Sequence, residues 1–137
     1  MAGYSGTPLL KKIGIKPAHR IVLVNMPGGF RDELGSLPAG ARIIKDSSHE
    51  PADVIILFAK NHGALLKGLP EFKGRMTPDG MLWAAWPKKA SGVASDLSET
   101  LVRQEGLSQG LVDIKVCAIN EIWSGLKFVI PLKDRRK

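Results

Sequence analysis

Asp53-Val54-Ile55-Ile56-Leu57-Phe58-Ala59 decides the fold. From Val54 onward it is six apolar side chains without a break, three of them β-branched, too short for an ordinary helix and too continuous for a strand with one wet face. A strand that is apolar on both sides must be covered on both sides. This one is therefore expected at the centre of a parallel sheet sandwiched between helices. No apolar run in the 137 residues is longer, against the roughly twenty that a bilayer-spanning helix needs, so a membrane protein is not expected.

Three further runs flank it. Ile21-Val22-Leu23-Val24 reads as a first buried strand ending in Asn25-Met26-Pro27-Gly28-Gly29-Phe30, and Ala41-Arg42-Ile43-Ile44-Lys45 reads as a second. Met81-Leu82-Trp83-Ala84-Ala85-Trp86, stopped by Pro87, is a fourth. The segments between them suit helices. Thr7-Pro8 can cap and open one through Lys12, with Gly14 as its left-handed stop; Phe30 to Leu37 allows two turns before Pro38. Asn61 to Leu69 and on to Arg75 reads as helix with a break at Pro70, followed by a turn at Thr77-Pro78-Asp79-Gly80. Asp96 with Glu99 matches a capping box that opens a crossover helix with Leu97, Leu101, Val102 and Leu107 as its apolar face.

The last third changes period. Val112, Ile114, Val116 and Ala118 alternate with Asp113, Lys115 and Cys117, and Leu126, Phe128, Ile130 and Leu132 alternate with Lys127 and Lys133. Alternation means one wetter face, and two such strands joined through Asn120 to Gly125 make an antiparallel hairpin, with Pro131 suited to an edge. The expected fold is α/β: one domain over 1–137, a three-layer sheet of about four parallel strands plus a C-terminal antiparallel hairpin. Residues 1–6 and 133–137 are expected to be flexible ends.

Net charge is +7, carried by the two ends of the chain: residues 1–31 hold five basic side chains and no acidic one, and residues 127–137 hold five against Asp134. The body between them is close to neutral, so these ends read as solvated flanks and nucleic acid is not expected as a partner. Met1-Ala2-Gly3-Tyr4-Ser5-Gly6 lacks the basic-then-apolar order of a secretory signal, and the lone Cys117 has no partner for an internal disulfide. The cytoplasm is the expected compartment. His19, His49 and His62 share no short ligand spacing, Cys117 falls within a strand as a buried thiol, and no metal site is expected.

Several phrases resemble a family of small bacterial proteins catalogued as a domain of unknown function: Thr7-Pro8-Leu9 with Lys12-Ile13-Gly14-Ile15-Lys16, Gly80-Met81-Leu82-Trp83 with Trp86-Pro87-Lys88-Lys89 and Ser91-Gly92, Val112-Asp113 with Lys115-Val116-Cys117-Ala118-Ile119, and Trp123-Ser124-Gly125-Leu126. That resemblance spans nearly the whole chain and brings no activity with it. The order of elements is also similar to the Rossmann-like sheet of adenosylmethionine-dependent methyltransferases, which implies a Gly-rich first loop and an acidic residue about twenty positions later. Asp46 fits, 21 residues after Asn25. The loop does not: it holds Pro27, which has no amide to donate, ahead of Gly28 and Gly29, and these glycines also suit a tight turn needing positive φ.

A second candidate is Trp86-Pro87-Lys88-Lys89-Ala90-Ser91-Gly92, at the carboxyl end of a parallel strand, where open α/β sheets place their ligands. Two ammonium groups, a hydroxyl and an indole could hold an anionic small molecule; the plainer reading is a proline-stopped strand followed by solvated lysines. Trp123 in the hairpin loop would be a further wall, and Asn61 follows the central strand on the same side. The candidate ligand residues are thus Gly28, Gly29, Asp46, Asn61, Trp86, Lys88, Lys89, Ser91 and Trp123. Without an acid–base pair or nucleophile among them, the sequence reads as a non-catalytic ligand- or protein-binding module of degenerate Rossmann-like fold, homo-oligomers included, and requires no cofactor. Its alternative is a small transferase binding a nucleotide-like or phosphate-containing ligand at the strand carboxyl ends. Whether it is an enzyme stays open.

Overall fold

The computed structural model describes residues 8–135, so the cap expected at Thr7 and the ends at 1–6 and 136–137 lie outside it. Six strands, β1 (Arg20–Val24), β2 (Arg42–Ile44), β3 (Ala52–Phe58), β4 (Met76–Pro87), β5 (Val112–Ala118) and β6 (Trp123–Val129), form one sheet in the order β2-β1-β3-β4-β6-β5. The first four are parallel. β6 is antiparallel to both β4 and β5, so it is the one reversed strand, and β5 at the edge runs with the others.

Helices α1 (Leu9–Ile13) and α2 (Phe30–Leu34) cover one face, and α3 (His62–Lys73) and α4 (Glu99–Ser108) cover the other. The unbroken apolar run follows directly from this sandwich. Ile55 and Leu57 pack with Leu65, Phe72 and Val102 on the α3/α4 side, while Val54, Ile56 and Phe58 pack with Ile13 and Phe30 on the other. Ile55, Ile56 and Leu57 are all 0% exposed, each contributing about 1.5–3 kcal/mol by burial. Trp83, also fully buried, donates its indole N–H to the Ile13 carbonyl at 3.1 Å and so fixes α1 over β4.

Several local expectations change. Thr77-Pro78-Asp79-Gly80 lies inside β4: Ala52 pairs with Met76 and Val54 with Met81, so these four residues bulge opposite Asp53. Proline and glycine suit a bulge as well as a turn, and a Cβ on Gly80 would stand 3.1 Å from the Asp53 carbonyl. Pro70 does not break α3; the missing amide leaves the carbonyl of exposed Leu66, which water can satisfy. The α4 cap is Ser98, which accepts the Leu101 N–H, and Asp96 accepts the His62 N–H at the start of α3 instead. α2 stops at Leu34, where Gly35 takes φ 75°. Pro131 lies beyond β6 and opens a 3₁₀ turn over Leu132–Asp134.

One crossover is unusual. Between β2 and β3 the chain uses Lys45 to Pro51 and no helix, and Arg75 organises that connector by donating to the carbonyls of Lys45, Asp46 and Glu50. A short connector leaves the α3/α4 side of β1 and β2 without the extra helix that would otherwise lie against it.

Candidate functional site

β1 is flanked by β2 on one side and β3 on the other, so the crossover to β2 and the return from β2 to β3 run in opposite directions along the sheet and a crevice opens at the carboxyl end of β1. Asn25 sits there with φ 58°, and its Nδ2 donates to the Phe58 carbonyl at 3.4 Å, tying the β1 loop to the end of β3. Gly29 takes φ 85° where α2 begins, which explains its identity. A Cβ on Gly28 or Gly29 would meet nothing within 4 Å, so the outer side of this loop is open.

A cleft of about 480 Å³ lies on the α3 side of the crevice. Val24 and Leu57 form its floor, Asn25, Asp46 and Ser47 one rim, and Ala64, Lys67, Gly68, Glu71 and Phe72 of α3 its wall. Gly68 lets the helix approach, since a Cβ there would stand 2.8 Å from the Leu57 methyls. A second cleft of about 410 Å³, bounded by Leu23, Met26, Arg31 and Lys45, lies against the same Asp46 and Ser47. Volumes of this size suit a ligand of a few hundred cubic ångströms. The side-chain charges around the first cleft are the carboxylates of Asp46 and Glu71 and the ammonium of Lys67, a net of one negative charge.

Of the candidate residues read from the sequence, Asp46 lines this cleft. Asn61 is the α3 N-cap, its Oδ1 accepting the Ala64 N–H at 2.8 Å. Ser91 Oγ donates to the Lys88 carbonyl at 2.6 Å and accepts the Val93 N–H, closing the loop after β4 on itself, while Lys89 is exposed and Lys88 half-buried. The two tryptophans face opposite ways: Trp86 belongs to the α3/α4-side core and Trp123 to the other, edge-on to Phe58 with ring centroids 5.0 Å apart. They do not form one wall. Ser47, Lys67 and Glu71 are cleft residues that the sequence reading passed over; the signal for the last two is a polar pair four apart on the helix after the central strand.

Among the described residues, no group of three or more His, Cys, Asp or Glu side chains could hold a metal ion, and no helix is long and apolar enough to cross a membrane. Burial pushes the Cys117 thiol up, more than the nearby Lys115 and Lys12 charges pull it down, the opposite of an activated nucleophile.

No family model matches the chain and no curated protein matches it, so the phrases that resemble a domain of unknown function have no family match behind them. Solved structures do match. An S-adenosylmethionine-dependent methyltransferase from Aquifex aeolicus superposes with a TM-score of 0.65 at 18% identity, over 90% of this chain and 88% of that one. A precorrin-6y C5,15-methyltransferase from Geobacter metallireducens gives 0.64 at 8% identity, over 90% and 86%. A TehB-like S-adenosylmethionine-dependent methyltransferase from Corynebacterium glutamicum gives 0.57 at 11%, over 89% and 85%. The chain has the Rossmann-like α/β fold of these methyltransferases, with mostly parallel strands and an antiparallel hairpin.

Proposed function

We propose that the protein is a small transferase that binds a positively charged nucleoside, S-adenosylmethionine being the type, in the cleft beside Asp46. The observation that carries this is the Asp46 carboxylate at the end of β2, lining a cleft of net negative charge at the point where the sheet changes direction. A cleft with two carboxylates and one ammonium favours a cationic ligand with hydroxyls over a phosphate-bearing one. The residues present fit the group. Asp46 would accept from ribose hydroxyls and Lys67 would meet a ligand carboxylate, whereas Gly28 and Gly29 line neither cleft. When bound, such a cofactor supplies an electrophilic methyl group; the part of this chain is to bind it, orient it and keep water from the apolar floor of Val24 and Leu57.

The test is a thermal-shift and calorimetric titration with S-adenosylmethionine, S-adenosylhomocysteine, ATP and NAD. At one hundred times the dissociation constant, the cognate ligand stabilises the fold by about 2.7 kcal/mol, and Asp46→Ala removes that gain. A flat response to all four would reject the reading.

One observation favours a second reading, a non-catalytic module for an anionic small molecule. Pro27 removes an amide from the first loop, while Lys88 and Lys89 stand beyond β4 at the same end of the sheet. Stabilisation by inorganic phosphate or ATP that is lost in Lys88→Ala/Lys89→Ala but kept in Asp46→Ala would select it.

A further inference from the structure

The cleft bounded by Leu23, Met26, Arg31 and Lys45 differs in chemistry from its neighbour. The two share Asp46 and Ser47, but the first lies on the α3 face of the sheet and the second on the α2 face, where Leu23 and Ile43 pack against the core under α1 and α2. The second cleft exists because α2 is short. Its five residues extend about 7.5 Å, too little to cover the carboxyl ends of both β1 and β2, and it ends at Gly35 with φ 75°. Leu23 and Ile43 are left half-buried as an apolar floor, and Met26 beside them is 42% exposed. A flexible thioether open to water next to such a floor suits contact with the apolar body of a ligand.

Charge separates the clefts further. The first carries one net negative charge, whereas around the second Arg31 and Lys45 against Asp46 leave one net positive charge. The ion pairs among the described residues join Arg20 to Asp53, Arg42 to Glu50, His62 to Glu105, and Arg103 to Glu99 and Asp113. Neither Arg31 nor Lys45 belongs to one, and neither side chain makes a hydrogen bond to another described residue. The acidic residues next to Arg31 on α2 do not neutralise it: Asp32 shares an adjoining cleft with Arg31 without pairing with it, and Glu33 accepts from Asn120 Nδ2 at 2.9 Å. Arg75 gives its donors to the carbonyls of Lys45, Asp46 and Glu50, which fixes the backbone that carries Lys45 at the cleft.

We propose that this second cleft binds a small organic carboxylate with an apolar body, the carboxylate between Arg31 and Lys45 and the body over Leu23, Ile43 and Met26. The guanidinium fork can take both carboxylate oxygens, and the ammonium adds a point charge. One net positive charge balances one carboxylate, whereas a phosphate monoester would bring a second negative charge towards Asp46. An inorganic anion would leave the apolar floor wet. The volume of about 410 Å³ is in the small-molecule range. The inference does not depend on a cationic nucleoside in the first cleft.

The full chain, isotope-labelled at its methionine methyls, would be titrated by NMR with hexanoate, hexanol and inorganic phosphate, with Met26→Leu identifying the resonance. Hexanoate is expected to shift the Met26 signal saturably and to leave that of buried Met76 in place. Hexanol has the body without the charge and phosphate the charge without the body, so each should bind about tenfold more weakly or worse. Arg31→Gln should weaken hexanoate about tenfold and Lys45→Gln several-fold; both side chains are exposed, so both variants should melt like the parent. Asp46→Ala should tighten hexanoate while removing the stabilisation by S-adenosylmethionine, and Arg31→Gln should keep that stabilisation, so the two clefts succeed or fail separately. No saturable shift at about 10 mM hexanoate, hexanol binding equally well, or parent-like binding in both charge variants would each overturn the proposal. Phosphate displacing hexanoate at equal concentration would also overturn it, in favour of a bare anion site.

Discussion

The central strand and the edge hairpin are opposite solutions to covering a sheet. In β3 every residue from Val54 to Phe58 is at most 1% exposed, whereas in β5 Ile114 is 51% and Val116 38% exposed. Helices on both faces leave β3 no room for a polar side chain; β5, at the sheet edge, leaves Lys115 exposed together with Val112, Ile114, Val116 and Ala118. One end of the sheet is therefore specified by packing, and the other is free to carry charge. The largest expected effect tests this contrast. Ile56→Ala should cost about 2–5 kcal/mol in denaturant unfolding, and Val116→Ala about 0.5 kcal/mol or less. A Val116→Ala loss approaching that of Ile56→Ala would mean that β5 is covered in solution, and the contrast would fail.

The hairpin is not loose where α4 meets it. A Cβ on Gly106 would fall 2.1 Å from the Phe128 ring, with no flexible atom in between. Glycine-to-alanine inside a helix ordinarily gains about 1 kcal/mol, but overpacking of this kind costs about 1–3 kcal/mol, so Gly106→Ala should lower the melting temperature. Gly63→Ala, whose new methyl meets the Asn61 Oδ1 at an ordinary 3.5 Å, should raise it or leave it unchanged. Equal behaviour of the two would show that Phe128 can move aside, and that the α4 side of the hairpin is as permissive as its lysine side.

Much of this fold was legible because burial leaves a simple trace. Ile21 to Val24, Val54 to Ala59 and Met81 to Trp86 are apolar throughout since both of their faces are covered, and buried Leu126 and Phe128 alternating with Lys127 mark the covered face of β6; in β5 the same alternation misleads, because Val112, Ile114, Val116 and Ala118 are exposed and Asp113 and Cys117 are half-buried. What was not legible depended on partners distant in sequence. Nothing local says that β6 inserts between β4 and β5, or that Thr77 to Gly80 bulges against Asp53. Asp96 and Ser98 are both good caps, and the choice rests on Asp96 reaching the start of α3. For the site, the spacing from Asn25 singled out Asp46, whereas Lys67 and Glu71 look like any solvated helix face until α3 is set against β1. Summing charge along the chain placed the basic residues at two ends and could not reveal that Lys115 and Lys127 stand directly opposite each other across two strands.

At the amino ends of the central strands, charge is paired. Asp53 accepts from the Arg20 backbone N–H at 2.8 Å and from its Nε at 3.1 Å, and from Thr77 Oγ1 at 3.3 Å, joining β1, β3 and β4. Burial pushes the Asp53 carboxyl up, but the hydrogen bonds and charge of Arg20 outweigh it and hold it below the usual carboxylate range. A depressed folded pKa means stability that is fully present above the unfolded value and lost as pH falls through the folded one. Asp53→Asn should therefore cost about 1.5 kcal/mol at neutral pH, and that cost should vanish as the pH drops below the carboxylate range. A cost that persists in strong acid would assign Asp53 a packing role only.

The mirror case is Lys127, where the expected effect is smallest and opposite in sign. Burial comes first, then the charges of Lys115 and Lys16, and all three act against its ammonium form. The unfolded chain, which separates these lysines, binds a proton at this position more readily than the folded chain does. In the lysine titration range the unfolded state thus holds more protons, and stability from this group rises with pH. Below that range the penalty is fully present. Lys127→Gln, which keeps the stem and removes the charge, should therefore stabilise the protein by a few tenths to about 1 kcal/mol at neutral pH, the size of a cross-strand charge effect. The gain should shrink in high salt, which screens Lys115 and Lys16, and should disappear above about pH 10.5, where the parent side chain is neutral in both states. Lys127→Arg, fixed in charge, should show no such gain at any pH. If Lys127→Gln instead destabilises at neutral pH, the ammonium has a partner in the folded chain, and the contrast between a paired centre and an unrelieved edge is wrong.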